Sequence, residues 1–308
     1  MKSSAPGKII LFGEHAVVYT RPALAVPVTQ VQVEVEVLDS SRAGIFINAP
    51  KINLHAELNA LPPDHPIGSV ITNLFSALGL PLPAGGLEIN IESTIPVAAG
   101  LGSGAAVSVA LTRALALHVE RSLSDEQVNN LVYEIEKLYH GTPSGIDNTV
   151  VTYAKPVYFI KGKPGETFKV GKPFTIIIGD TGIQAPTKQS VADVRRLWLK
   201  DTSRFESMFN EIAQISLIAR RSIESGMPEM LGELMDHNHM LLQEMTVSSP
   251  ELDRLVHTAR KAGAIGAKLS GGGRGGNMIA LVNKEDAEKI SQAILSAGAK
   301  QTLITEVS

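Results

Sequence analysis

A glycine-rich loop between a strand-like segment and a long apolar helix constrains the fold of this chain more than any other feature. Alternating apolar residues predict a strand over 87–92, and the residues after the loop predict a helix over 105–119. The loop itself carries Gly100, Gly102 and Gly104. Glycines let the backbone approach a ligand closely, and a helix start offers unpaired N–H groups that favour an anion. The sequence therefore predicts a phosphate-binding loop.

The loop also matches G-x-G-x-x-A, the dinucleotide fingerprint, but its surroundings argue against that alternative. The fingerprint needs a strand directly before it and a second strand ending in an acid about 20 residues later. Pro96 interrupts the approach to the loop, and Glu120 ends a helix rather than a strand. The P-loop pattern G-x-x-x-x-G-K-[ST] does not occur. Two interpretations remain. The loop is either a third type of phosphate loop or a simple glycine-rich turn that enters a buried helix.

The composition is typical of a globular protein and excludes several functional classes. With 308 residues, 44% of them hydrophobic and 19% charged, the chain has room for two domains. A net charge of −3 without a run of Lys or Arg gives no case for nucleic acid or an acidic membrane surface as partner. The chain has no cysteine, which excludes thiol catalysis and Cys-ligated zinc and fits a cytoplasmic protein. We also expect neither a signal peptide nor a membrane span.

Strand and helix patterns predict two domains, 1–170 and 171–308, with the boundary near 168–173. In the first domain the patterns predict strands over 8–12, 31–37 and 87–91, helices over 67–78 and 105–119, and a loop or broken short helix over 50–65. A capping box at Ser124 and Gln127 predicts a further helix start. In the second domain, three or four helices over 188–262 precede two strands about a glycine-rich loop, a helix and a last strand.

Three charged residues are candidates for chemistry at the phosphate loop. Asp147 follows a turn, and Glu136 lies on the helix before that turn, so both carboxylates could face the loop. Such a pair suits a Mg²⁺ ligand together with a group that orients an attacking hydroxyl. The simpler alternatives are a helix cap for Asp147 and a solvated helix face for Glu136. Lys8, between a Pro-Gly turn and a buried strand, could neutralise charge on a transferring phosphoryl group.

A second glycine run, residues 271–276, is too dense in glycine for an ordinary hairpin. Close approach of its backbone to a substrate explains it better than a flexible turn does. His15, which follows Glu14 at the end of the first predicted strand, could hydrogen-bond the same substrate.

Four segments together resemble the motifs of the GHMP kinase superfamily. They are 6–19 (PGKIILFGEHAVVY), 100–106 (GLGSGAA), 140–148 (HGTPSGIDN) and 268–276 (KLSGGGRGG). The first and third are similar to the forms in the branch that phosphorylates the C5 hydroxyl of mevalonate for isoprenoid biosynthesis. The resemblance implies a mixed α/β, two-domain fold, with a ribosomal-protein-S5-like N-terminal domain and a ferredoxin-like C-terminal domain. It also implies an active site in a cleft between them.

The same resemblance assigns roles to individual residues. It implies ATP and mevalonate as substrates, Mg²⁺ as cofactor and a homodimer. Asp147 becomes the catalytic carboxylate near the C5 hydroxyl, and Lys8 stabilises charge beside it. The remaining assignments are substrate contacts at His15, Glu14 and Thr187, and metal ligands at Glu136 and Ser103. The implied ATP-binding residues are Pro96, Ala99, Gly100, Leu101, Gly102, Ser103, Gly104 and Ala105.

Gly104 departs from the superfamily pattern, which has a second serine at this position that helps to hold Mg²⁺. We predict that water replaces the missing hydroxyl and that Glu136 and the nucleotide phosphates are the main ligands. Two alternatives stay open from the sequence. One is a related kinase that acts on mevalonate C3, a sugar or homoserine, and the other is a non-catalytic relative that binds a metabolite.

Overall fold

The computed structural model describes residues 1–83, 85–96, 100–140, 144–184 and 186–308, except for the side chains of 138–140. The chain is a mixed α/β protein, as the sequence predicts, and forms two compact units. The first unit comprises Met1–Lys8, Val28–Val97 and Leu101–Ala154, and the second comprises Ile9–Pro27, Ala98–Gly100 and Lys155–Ser308. This division differs from a single boundary near residue 170, because the segment Ile9–Pro27 belongs to the second unit and the last change of unit falls between Ala154 and Lys155.

The first two strands contribute residues to both units, and the other elements up to residue 153 belong to the first. They are β1 (Lys2–Phe12), β2 (Ala23–Ser40), β3 (Ile45–Ala49), β4 (Leu54–Glu57), α1 (Pro66–Ala77), β5 (Gly86–Ser93), α2 (Ser103–His118), α3 (Asp125–His140) and α4 (Ile146–Tyr153). The sheet of the first unit has the order β4-β3-β5-β2, and β1 pairs with β2. Strand β3 is parallel to β5, whereas β4 pairs antiparallel with β3 and β2 pairs antiparallel with β5.

Local sequence accounts for most of these elements. Val33, Val35 and Val37 of β2 are buried while Gln32 and Glu34 are exposed, as alternation predicts for a strand with one covered face. The capping box is confirmed: the Gln127 N–H donates to Ser124 Oγ, and the Ser124 N–H donates to Gln127 Oε1.

The prediction of a loop or broken helix over 50–65 is wrong in its centre. Residues Leu54–Glu57 form strand β4, and short 3₁₀ turns lie on both sides, at Pro50–Ile52 and Leu58–Ala60. Strand β4 exists because it pairs antiparallel with β3, and a pairing of this kind is not visible in four residues of local sequence.

In the described ranges the second unit contains five α-helices and a four-stranded antiparallel sheet. Its elements are β6 (Val157–Phe159), β7 (Glu166–Thr167), β8 (Phe174–Asp180), α5 (Thr187–Lys200), α6 (Thr202–Glu224), α7 (Leu231–Glu244), α8 (Pro250–Ala262), β9 (Gly266–Ser270), β10 (Asn277–Val282), α9 (Ala287–Ser296) and β11 (Gln301–Val307). The sheet order is β11-β8-β10-β9, and α7, α8 and α9 pack on it. The predicted pair of strands around the second glycine run is confirmed, with Ser270 opposite Asn277. None of the helices in the described ranges has the length and apolar character needed to cross a bilayer.

Candidate active site

Lys8 and Asp147, which the sequence singles out separately, form an ion pair in the first unit. Lys8 Nζ lies 3.0 Å from Asp147 Oδ2. The Lys8 side chain is only 7% exposed, whereas that of Asp147 is 41% exposed. A buried cation therefore stands directly behind a carboxylate that remains accessible to a substrate.

The glycine loop holds Lys8 from both its backbone and its side chain. The Lys8 N–H donates to the Leu101 carbonyl at 2.9 Å. Gly102, with φ 74°, is the N-cap of α2, and a Cβ at this position would lie 2.7 Å from Lys8 Cγ. Only glycine fits there, because the backbone is left-handed and the lysine stem occupies the space of a side chain. The lysine is thus fixed beside the first N–H groups of α2, where the helix dipole favours an anion.

Helix α4 positions Asp147 in its first turn, after the left-handed Gly145 at the N-cap. Two contacts on the same helix fix its orientation. Asn148 Nδ2 donates to Asn129 Oδ1 of α3 at 2.7 Å, and Arg113 of α2 donates to the Thr152 carbonyl at 2.7 Å. The carboxylate therefore lies on a short helix that is attached to both neighbouring helices.

Glu136 on α3 lies beside the start of α2, where the resemblance implies Mg²⁺. A Cβ on Gly104 would lie 3.9 Å from Glu136 Oε1, so this carboxylate faces the position of the missing serine. No group of three or more His, Asp or Glu side chains that could hold a metal occurs in the described part of the chain. One carboxylate fits Mg²⁺ that arrives with a nucleotide, since this ion commonly keeps several waters and binds one or two carboxylates plus phosphates.

A second cluster lies in the second unit and contains His15 and Thr187. His15 Nε2 is 3.1 Å from the Gly272 carbonyl. A Cβ on Gly272 would lie 2.8 Å from Thr187 Oγ1, at the start of α5. The turn of residues 271–276 therefore contacts both residues, and its glycine at 272 is required by the closeness of Thr187.

His15 is neutral near pH 7, and its hydrogen bond shows which of the two ring nitrogens carries the single hydrogen. Burial of the imidazole lowers the pKa of His15 from 6.5 to about 4, against the opposing effect of the Gly272 carbonyl. Because a carbonyl only accepts, Nε2 carries the hydrogen and Nδ1 is left as an acceptor. Nδ1 is buried and has no hydrogen-bond partner in the described part of the protein. His15 can therefore accept a hydrogen bond from a hydroxyl group.

Glu14, which the resemblance assigns to the substrate, has a lysine as its partner in the same unit. Lys268 Nζ on β9 donates to Glu14 Oε1, and both side chains have 0% exposure. Sequence reasoning did not single out Lys268. The sequence does contain a sign of it, because Lys268 is a charged residue in the middle of an apolar strand. A buried charge of this kind needs a partner.

The structure thus brings the predicted residues together in two groups. Lys8, Asp147, Glu136 and residues 101–105 lie in the first unit, and Glu14, His15 and Thr187 lie in the second. Pro96 is half-buried, and Ala99 falls outside the described residues.

Comparison with known proteins identifies the relatives of this chain. Residues 66–155 match the GHMP kinases N terminal domain, and residues 219–300 match the GHMP kinases C terminal domain. A mevalonate kinase from Pyrococcus abyssi is 36% identical over 99% of this chain and 95% of its own length. The crystal structure of L. major mevalonate kinase in complex with R-mevalonate superposes with a TM-score of 0.86 at 29% identity, covering 100% and 96% of the two chains. That of the Methanococcus jannaschii mevalonate kinase also has a TM-score of 0.86, at 27% identity, covering 99% and 97%.

Proposed function

The chain belongs to the mevalonate kinases of the GHMP kinase family, and we propose that it transfers the terminal phosphoryl group of ATP to the C5 hydroxyl of (R)-mevalonate through Lys8 and Asp147. The contact that most supports this proposal is the 3.0 Å pair of Lys8 and Asp147 beside the uncapped start of α2. It combines an accessible carboxylate, a buried cation and a set of backbone N–H groups, which are the parts that phosphoryl transfer requires.

In the proposed reaction the C5 hydroxyl oxygen attacks the γ-phosphorus while the bond to the bridging β,γ-oxygen breaks, giving mevalonate 5-phosphate and ADP. Asp147 orients the hydroxyl and accepts its proton. Lys8 stabilises the negative charge on the attacking oxygen and on the transferring phosphoryl group. Because Lys8 is buried, its charge acts in an environment of low dielectric, where electrostatic stabilisation is larger than in water.

The start of α2 and Glu136 serve the nucleotide in this proposal. The N–H groups of residues 103–105 lack partners within the helix and hydrogen-bond phosphate oxygens. Glu136 and nucleotide phosphates would hold Mg²⁺, which when bound neutralises phosphate charge and polarises the transferring group. Water takes the place of the serine hydroxyl that Gly104 lacks.

His15 and Thr187 are proposed contacts of mevalonate. His15 Nδ1 accepts from a hydroxyl of the substrate, and its neutral state makes this a hydrogen bond without charge. The Thr187 hydroxyl is exposed at the first residue of α5 and can donate to a carboxylate.

An acceptor panel tests the function. ADP release is measured with (R)-mevalonate, a galactose and homoserine as acceptors, and the product is identified by ³¹P NMR. We expect turnover with mevalonate alone and a phosphomonoester coupled to the C5 methylene. Turnover of another alcohol without mevalonate would assign the chain to a different acceptor, and nucleotide binding without any turnover would favour a metabolite-sensing relative.

We further propose a homodimer, as the resemblance to the family implies, and a location in the cytoplasm, which the absence of cysteine fits. Light scattering on the purified protein gives the mass in solution, and a monomer at micromolar concentration would contradict the dimer.

Fractionation of the source cells, followed by immunoblotting of the soluble and membrane fractions, tests the location.

A further inference from the structure

The buried pair of Glu14 and Lys268 has no evident purpose in stability. Both side chains are fully buried, and Lys268 Nζ also donates to the Leu269 carbonyl at 2.6 Å. Burial lowers the pKa of Lys268, against the opposing effect of Glu14, because desolvation disfavours the charged ammonium. A buried ion pair is often replaced by well-packed apolar residues at no loss of stability. Its presence here therefore calls for another explanation.

The location of the pair supplies one. Glu14 precedes His15, and Lys268 lies on the strand that leads into the turn of residues 271–276. Two more contacts join the same segments: Ser270 Oγ donates to the Ile10 carbonyl at 2.7 Å, and His15 Nε2 donates to the Gly272 carbonyl. The pair is thus the charged member of three contacts between residues 10–15 and 268–272.

One of the segments that these contacts join contains a residue in a costly conformation. His15 has φ 60°, a left-handed backbone that is unfavourable for a residue with a side chain. Such a conformation persists only where the surrounding structure fixes it. Of the two Glu14 carboxylate oxygens, Oε1 accepts from Lys268, whereas Oε2 is buried and has no partner in the described ranges. Within those ranges, the bond to Lys268 therefore fixes the orientation of the carboxylate.

We propose that Glu14 and Lys268 are a positioning pair that holds the His15 ring and the 271–276 turn in the geometry that recognises the acceptor substrate. This inference rests on the proposed contact between His15 and mevalonate. The pair acts through His15 and touches no substrate itself. A salt bridge suits this role better than an apolar contact, because it fixes direction as well as distance.

The main test separates positioning from stability by removing both charges at once. Glu14→Gln alone leaves a buried ammonium without its counter-charge, and we expect the Tm to fall by roughly 5–15 °C. The double variant Glu14→Gln with Lys268→Met removes both charges and leaves only a neutral amide buried, so its Tm is expected to fall clearly less than that of Glu14→Gln alone. Its KM for mevalonate is nevertheless expected to rise at least about tenfold, while kcat and the KM for ATP change less than about threefold.

A matched control uses the same substitutions at an exposed pair. Lys284 and Glu306 are 3.1 Å apart, with side chains 80% and 46% exposed. The variant Lys284→Met with Glu306→Gln should leave the Tm and all kinetic constants unchanged. An equal rise in the KM for mevalonate in this control would overturn the inference.

A double-mutant cycle with His15→Ala tests whether the pair acts through the histidine. We expect His15→Ala to raise the KM for mevalonate by itself, but to add less than about twofold in the Glu14→Gln, Lys268→Met background. Additive effects, or a normal KM in the double charge variant, would overturn the positioning role. If His15→Ala alone leaves the KM unchanged, the proposed substrate contact itself fails, which is a distinct result.

Should the double charge variant not fold, Glu14→Asp retains the charge but shortens the side chain, and an unchanged KM there overturns the inference.

Discussion

Replacement of Gly102 by alanine should reduce turnover by displacing Lys8. The new Cβ would lie 2.7 Å from Lys8 Cγ and 3.1 Å from Cε, whereas carbon atoms pack at about 3.5–4.0 Å. Lys8 must therefore move by about 1 Å, and because it is buried it cannot turn into solvent. A displacement of this size at a catalytic group costs up to about 100-fold in rate. The left-handed backbone, with φ 74°, adds a stability cost of about 1–2 kcal/mol.

The assay compares this variant with Gly79→Ala in the same unit. Gly79 has φ 66°, and a Cβ there meets nothing within 4 Å, so this control carries the backbone cost without the contact. We expect both variants to lose similar thermal stability. In coupled ADP-release measurements, kcat should fall roughly 10–100-fold in Gly102→Ala and stay unchanged in Gly79→Ala. Normal turnover of Gly102→Ala would mean that the loop does not fix Lys8.

Three further predictions address other parts of the site. Lys8→Met should lower kcat by about 10²–10⁴-fold in the ADP-release assay, and a loss below tenfold would contradict a role in charge stabilisation. Gly104→Ser should place a hydroxyl beside Glu136 and raise the Mg²⁺ affinity of the nucleotide complex in calorimetric titrations, whereas Gly104→Ala should not. The pKa of His15 is about 4 in the fold and 6.5 when unfolded, so the unfolded chain binds more protons between these values. Stability should fall by up to about 3 kcal/mol as the pH drops from 7 to 4, and chemical denaturation of His15→Asn should show a shallower decline.

The sequence predicted those features that depend on local pattern. Periodicity correctly predicts the valine alternation of β2 and the helix after the glycine loop. The capping-box motif correctly predicts the helix start at Ser124. The sequence singles out Lys8 and Asp147 separately, whereas their ion pair appears only in the fold, where Lys8 lies within β1 rather than after a turn.

What the sequence could not supply depends on contacts between distant segments. Strand β4 exists through its pairing with β3, and the partner of Glu14 lies 254 residues away. Asp147 was predicted to follow a turn, but its place in the first turn of α4 depends on contacts such as that between Asn148 and Asn129. The steric need for glycine at position 102 likewise appears only when Lys8 is in place.

If Asp147 acts on the acceptor hydroxyl beside Lys8, its loss must slow the chemical step itself. Rapid-quench single-turnover experiments with ATP and (R)-mevalonate measure this step separately from product release. We expect Asp147→Asn to slow the chemical step by about 10³-fold or more while the affinity for ATP stays within about twofold. Formation of mevalonate 5-phosphate by Asp147→Asn at the rate of the unchanged protein would contradict this role of Asp147.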